Sequence, residues 1–83
     1  MQHEKFKEVE VLVEDLNCKK EDFVTRVLQM FERFVKIEYH NFCMYNNSLD
    51  GRIRLNSDDA CDKVIKEIDG KMIGNSVIRV RRA

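Results

Sequence analysis

Polar and apolar residues alternate, Leu12 apart, where the chain first becomes regular. Val9, Val11 and Val13 fall on one side of an extended backbone, with Glu10, Leu12 and Glu14 on the other, so a half-buried strand is predicted over Val9 to Val13. After Asn17 to Lys20 the period changes. Phe23, Val27, Met30, Phe31 and Phe34 recur at helical spacing, and Glu21 and Asp22 suit the positive end of the helix dipole. Ile37 to Tyr45 is aromatic-rich and runs into Asn46, Asn47 and Ser48, residues that accept turn conformations. Gly51 to Leu55 alternates again, with Ile53 and Leu55 opposite Arg52 and Arg54, and should pair antiparallel with the preceding strand. Ser57 is a plausible N-cap for a second helix carrying the stripe Cys61, Val64, Ile65 and Ile68 and ending at Gly70. A last strand is predicted over Val77 to Arg81, after a turn at Gly74 and Asn75.

Six elements in the order β-α-β-β-α-β predict an α+β, ferredoxin-like domain: a four-stranded antiparallel sheet with two helices on one face and the other face open. Residues 8–83 form that domain, and residues 1–7 are expected to be a flexible tail. No internal repeat or long linker interrupts the order.

Composition narrows the function. The 83 residues suffice for one domain, and 43% hydrophobic with 36% charged residues fits a folded chain rather than a disordered one. Fifteen basic residues balance fifteen acidic ones, whereas a dedicated nucleic-acid binder carries a basic excess, so any basic patch must be local. Cys18, Cys43 and Cys61 are odd in number and widely spaced, which indicates neither a disulfide framework nor a metal site, but reduced intracellular thiols. No apolar run approaches the ~20 residues that span a bilayer, and Met1 to Lys7 is polar. A cytoplasmic or nuclear protein without membrane attachment or cofactor is expected.

Val11-Leu12-Val13-Glu14-Asp15-Leu16, the run from Ser57 through Ile73 with its Asp69-Gly70 turn, and the closing Ile78-Arg79-Val80-Arg81-Arg82-Ala83 resemble the corresponding segments of the RNA recognition motif, and together cover nearly the whole chain. The resemblance implies a base-binding open face, on which family members stack bases on one aromatic of the first strand and two of the third. The three matching positions here are Leu12, Asp50 and Arg52. Each missing ring forfeits roughly 1–3 kcal/mol of stacking per base, and Asp50 repels phosphate, so RNA binding should be weak or absent. Outward Glu10 and Glu14 should also stand between Arg52 and Arg54 on one side and Arg79 and Arg81 on the other, a self-neutralising ladder. The residues left for RNA are Tyr39, Tyr45, Arg54, Arg79, Arg81 and Arg82.

The first helix offers a different surface. Val24 and Leu28 widen its apolar arc beyond what packing on a sheet needs, at positions where the family carries polar residues. Phe23, Val24, Val27, Leu28 and Phe31 are therefore the candidate contacts for another protein subunit, a second such domain or a helical peptide, in a homo- or hetero-oligomer. In this the chain resembles the interaction-type members of RNA-processing assemblies, among them the motif-bearing subunits of a nematode piRNA-processing complex. Other functions of the topology lack their residues: a metal chaperone needs two cysteines after the first strand, and an acylphosphatase-like enzyme or amino-acid sensor needs a glycine-rich loop where Glu14-Asp15-Leu16-Asn17 stands. No catalytic constellation is present, and His3 and His40 have no evident partner, so no enzyme is expected.

Overall fold

The alternation around Val11 becomes the centre of the sheet. In the computed structural model, which describes residues 7–83, β1 (Glu8–Val13), β2 (Ile37–Tyr45), β3 (Ser48–Leu55) and β6 (Arg79–Arg82) form a four-stranded antiparallel sheet in the order β2-β3-β1-β6. Helices α1 (Lys20–Glu32) and α2 (Asp58–Ile68) pack on its inner face, and a small hairpin, β4 (Met72–Ile73) and β5 (Ser76–Val77), lies outside it. The register sets Val9 against Ile53, Val11 against Gly51 and Val13 against Leu49, with Val80 flanking Val11 on the other side. These residues face Phe23, Val27 and Phe31 of α1 and Cys61, Val64 and Ile68 of α2 in one apolar core. Residues 1–6, which hold His3 and most of the expected tail, lie outside the described residues; the Lys7 carbonyl accepts the Leu55 amide at 2.7 Å.

Local chemistry explains the element ends. The Ser57 hydroxyl accepts the Ala60 amide at 3.0 Å, capping α2 as its position predicts. Asn46 takes the left-handed conformation, φ 57°, that lets two residues join β2 to β3. Gly51 answers a different demand. The Phe42 ring lies directly across it, and any Cβ there would collide with the ring.

The last strand departs from expectation. Its predicted span, Val77 to Arg81, divides at Ile78, whose amide and carbonyl are taken by Lys71 and Gly70. Val77 consequently pairs with Met72, and only Arg79 onward joins the sheet.

Asp69 locks this junction. Its Oδ1 accepts the Val80 amide at 2.9 Å and Arg79 Nε at 3.0 Å, tying the end of α2 to β6. The Val80 bond, assisted by Arg79, holds the carboxyl below its ordinary range. A depressed acid stabilises the fold above its unfolded pKa and loses that contribution as pH falls through the folded value. Asp69→Ala is expected to cost about 1–3 kcal/mol at neutral pH, because it strips the buried Val80 amide of its acceptor. Urea titrations should show the gap between the two proteins closing as pH is lowered through the carboxylate range.

Candidate functional site

Cross-strand partners define the open face. Tyr39, Asn41, Cys43 and Tyr45 of β2 stand opposite Arg54, Arg52, Asp50 and Ser48 of β3. Beyond them, Glu8, Glu10 and Leu12 of β1 oppose Arg54, Arg52 and Asp50 in turn, and Arg81 and Arg79 of β6 oppose Glu10 and Leu12. A register irregularity between Ile37 and Tyr39 fixes the phase of β2. Phe42 is thereby turned into the core, while Tyr39 and Tyr45 remain 53% and 63% exposed. Leu12, Asp50 and Arg52 occupy adjoining positions in the middle of this face, where none offers a flat ring. Burial and the nearby Glu10 both raise the Asp50 carboxyl above its ordinary value.

The arginines are engaged with carboxylates. Glu8 accepts Arg54 Nε and Nη2 at 3.2 and 3.1 Å and lies 3.7 Å from Arg52 Nη1. Arg81 binds Glu10 at 2.9 Å, Arg79 binds Asp69 at 3.0 Å and Arg82 binds Asp58 at 2.8 Å. The acidic rungs are thus Glu8 and Glu10, not Glu10 and Glu14, because β1 begins at Glu8 and Glu14 lies past its end. Arg79 leaves the ladder because its neighbour across the strand is Leu12. Exposed pairs of this kind add at most about 1 kcal/mol each to stability, and each carboxylate lowers the positive field around the arginines it meets. Arg54 also lies over the Tyr39 ring, 5.6 Å from its centroid, occupying one of the two exposed rings.

The five candidates on α1 divide. Phe23, Val27 and Phe31 are at most 1% exposed and belong to the core, so they cannot meet a partner directly. The helical period brings them onto the sheet and leaves Val24 and Leu28 half-buried at the rim. These two line a groove of about 420 Å³ between α1 and the outer strand β2, together with Lys20, Glu21, Thr25, His40, Asn41 and Phe42. His40 is an exposed rim residue whose ring centroid lies 6.1 Å from that of Phe42. The arc width in the sequence pointed to Val24 and Leu28. The β2 side of the groove had no sequence signal, since it depends on register.

Solved structures align with nearly the whole chain. The third RNA recognition motif of Pes4 superposes with a TM-score of 0.75 at 14% identity, covering 93% of this chain and 90% of that one. The fold is that of an RNA recognition motif. The third such domain of Mip6 gives 0.74 at 16% identity, covering 93% and 92% of the two chains. The Rna15 motif solved with bound RNA (GU) gives 0.71 at 7%, covering 95% and 84%. Against models of known families the sequence matches none, and no curated protein matches it. The shared property is therefore the fold, and the motif's binding positions must be judged on this chain's own residues.

The three cysteines are free. Cys61 is buried, which pushes its thiol above the ordinary value, whereas Cys18 and Cys43 are exposed. Among the described residues no cluster of three potential metal ligands occurs, and no helix is long and apolar enough to cross a membrane.

Proposed function

We propose that this domain with the RNA recognition motif fold is a non-catalytic protein–protein interaction module of an RNA-processing assembly, using the outer edge of α1 rather than the sheet face. The observation carrying this reading is a contrast between two surfaces. Leu12, Asp50 and Arg52 leave the stacking positions without an aromatic ring, and Glu8 and Glu10 hold their arginine neighbours in ion pairs. Val24 and Leu28, by contrast, present apolar side chains beside an open groove. Burying apolar area is the main source of association free energy, and a rim of charged residues adds selectivity.

The test pairs two measurements. The double variant Val24→Asp and Leu28→Asp is expected to abolish association, read by sedimentation and by pull-down, while its thermal melt stays within about 10 °C of the parent. Titration with labelled single-stranded RNAs at physiological salt is expected to give dissociation constants weaker than about 100 µM. Unchanged association in the variant refutes the helix surface, and submicromolar RNA capture refutes the contrast itself.

A second reading, weak RNA binding, draws on the exposed Tyr45 and Tyr39 beside Arg54 and on the Arg81 and Arg82 end of β6. The Rna15 domain is a neighbour in fold that was solved with RNA. Steep loss of binding with added salt would mark this mode.

A further inference from the structure

The surface around Val24 and Leu28 carries a charge pattern that identifies an occupant. Lys20, Val24, Leu28 and Glu32 form one continuous i, i+4 ridge running from the first residue of α1 to its last. Its order is basic, apolar, apolar, acidic, and its midpoint falls between Val24 and Leu28. Turned end for end, the same ridge reads acidic, apolar, apolar, basic. Two copies laid antiparallel about a two-fold axis at that midpoint therefore bring Val24 of each against Leu28 of the other. The same operation sets Lys20 of each beside Glu32 of the other. A two-fold interface requires this kind of self-complementarity, and packing of i±4 ridges into each other's grooves is the commonest way helices meet.

Two further facts support a second copy. Among the described residues neither Lys20 nor Glu32 has an ion-pair partner, although the arginines of the sheet do. Each also sits at the wrong end of its own helix, a cation at the positive N-terminus and an anion at the negative C-terminus. An antiparallel neighbour reverses both: Glu32 then lies beside the other helix's N-terminus and Lys20 beside its C-terminus. The groove against β2, lined there by His40, Asn41 and Phe42, adds contact surface next to the ridge.

We propose that the chain forms a two-fold dimer through antiparallel α1 helices, with Val24 and Leu28 at its centre and reciprocal Lys20–Glu32 pairs at its ends. The proposal rests on the interaction surface described above and names its partner as a second copy. One helix face with an adjoining strand edge lies at the low end of specific interface sizes, so self-association belongs in about the micromolar range.

Charge exchange tests it with the intact chain. Sedimentation equilibrium across the micromolar range should show mass rising to twice that of the monomer. Lys20→Glu alone and Glu32→Lys alone should each weaken self-association by about tenfold or more, since like charges then meet at both ends. Mixed in equal amounts, the two single variants should form a heterodimer, and the double variant Lys20→Glu with Glu32→Lys should recover self-association to within about threefold of the parent. Circular dichroism of each variant verifies that the fold is kept. A parent that stays monomeric, single variants that dimerise like the parent, or a mixture that fails to recover each overturns the dimer. A monomeric parent that captures a different protein through Val24 and Leu28 overturns only the dimer, whereas association indifferent to Val24→Asp and Leu28→Asp overturns both readings.

Discussion

Gly51→Ala is expected to lower the midpoint of thermal unfolding by about 10–20 °C, equivalent to about 2–3 kcal/mol for a domain of this size. A single methyl group is involved, yet it has nowhere to go. Gly51 is buried in the middle of β3, paired with Val11 on one side and Phe42 on the other, and the Phe42 ring occupies the space above its Cα. To admit a Cβ, either the ring must leave its position or β2 must separate from β3, and both routes open the core. Differential scanning calorimetry checks the size of the loss. Combining Gly51→Ala with Phe42→Leu should recover part of it, because the smaller side chain removes the obstacle; two losses that merely add would show that the collision is not the cause.

The second large effect is a gain. Replacing Leu12 and Asp50 by Phe and Arg52 by Tyr should raise affinity for short single-stranded RNA by on the order of a hundredfold or more, since each platform restores roughly 1–3 kcal/mol and the Asp50 charge is removed. The three positions adjoin one another in the register, so the new rings would form one continuous platform. Fluorescence anisotropy with a labelled oligonucleotide measures the change. If affinity does not move, something other than absent rings keeps RNA off the sheet, and the ion pairs of Glu8 and Glu10 with the surrounding arginines become the next suspects.

Much of this architecture could be read from local pattern. The valines at 9, 11 and 13 alternate because one side of β1 is core, and Ser57 announces α2 because a helix start needs an acceptor for its free amides. What escaped the sequence depended on partners far along the chain. Ile78 breaks the expected final strand because Gly70 and Lys71 claim its backbone, and that competition leaves no trace in the alternation of Val77 to Arg81. The wide apolar arc of α1 was visible, but its division was not: Phe23, Val27 and Phe31 reach the sheet, whereas Val24 and Leu28 stop at the rim. Likewise, the three stacking positions could be assigned by resemblance, while the role of Glu8 and the clasp of Asp69 on Val80 and Arg79 required the register and the hairpin.

The chain contains no tryptophan and only two tyrosines. Both rings are exposed on β2 opposite residues of the open face, so its intrinsic ultraviolet emission reports chiefly on that side of the sheet. A ligand laid across the strands would perturb both Tyr39 and Tyr45, whereas a neighbour seated in the groove beside His40 and Asn41 would come close to Tyr39 alone. The protein thus carries its own label for distinguishing the two modes of recognition without any added dye.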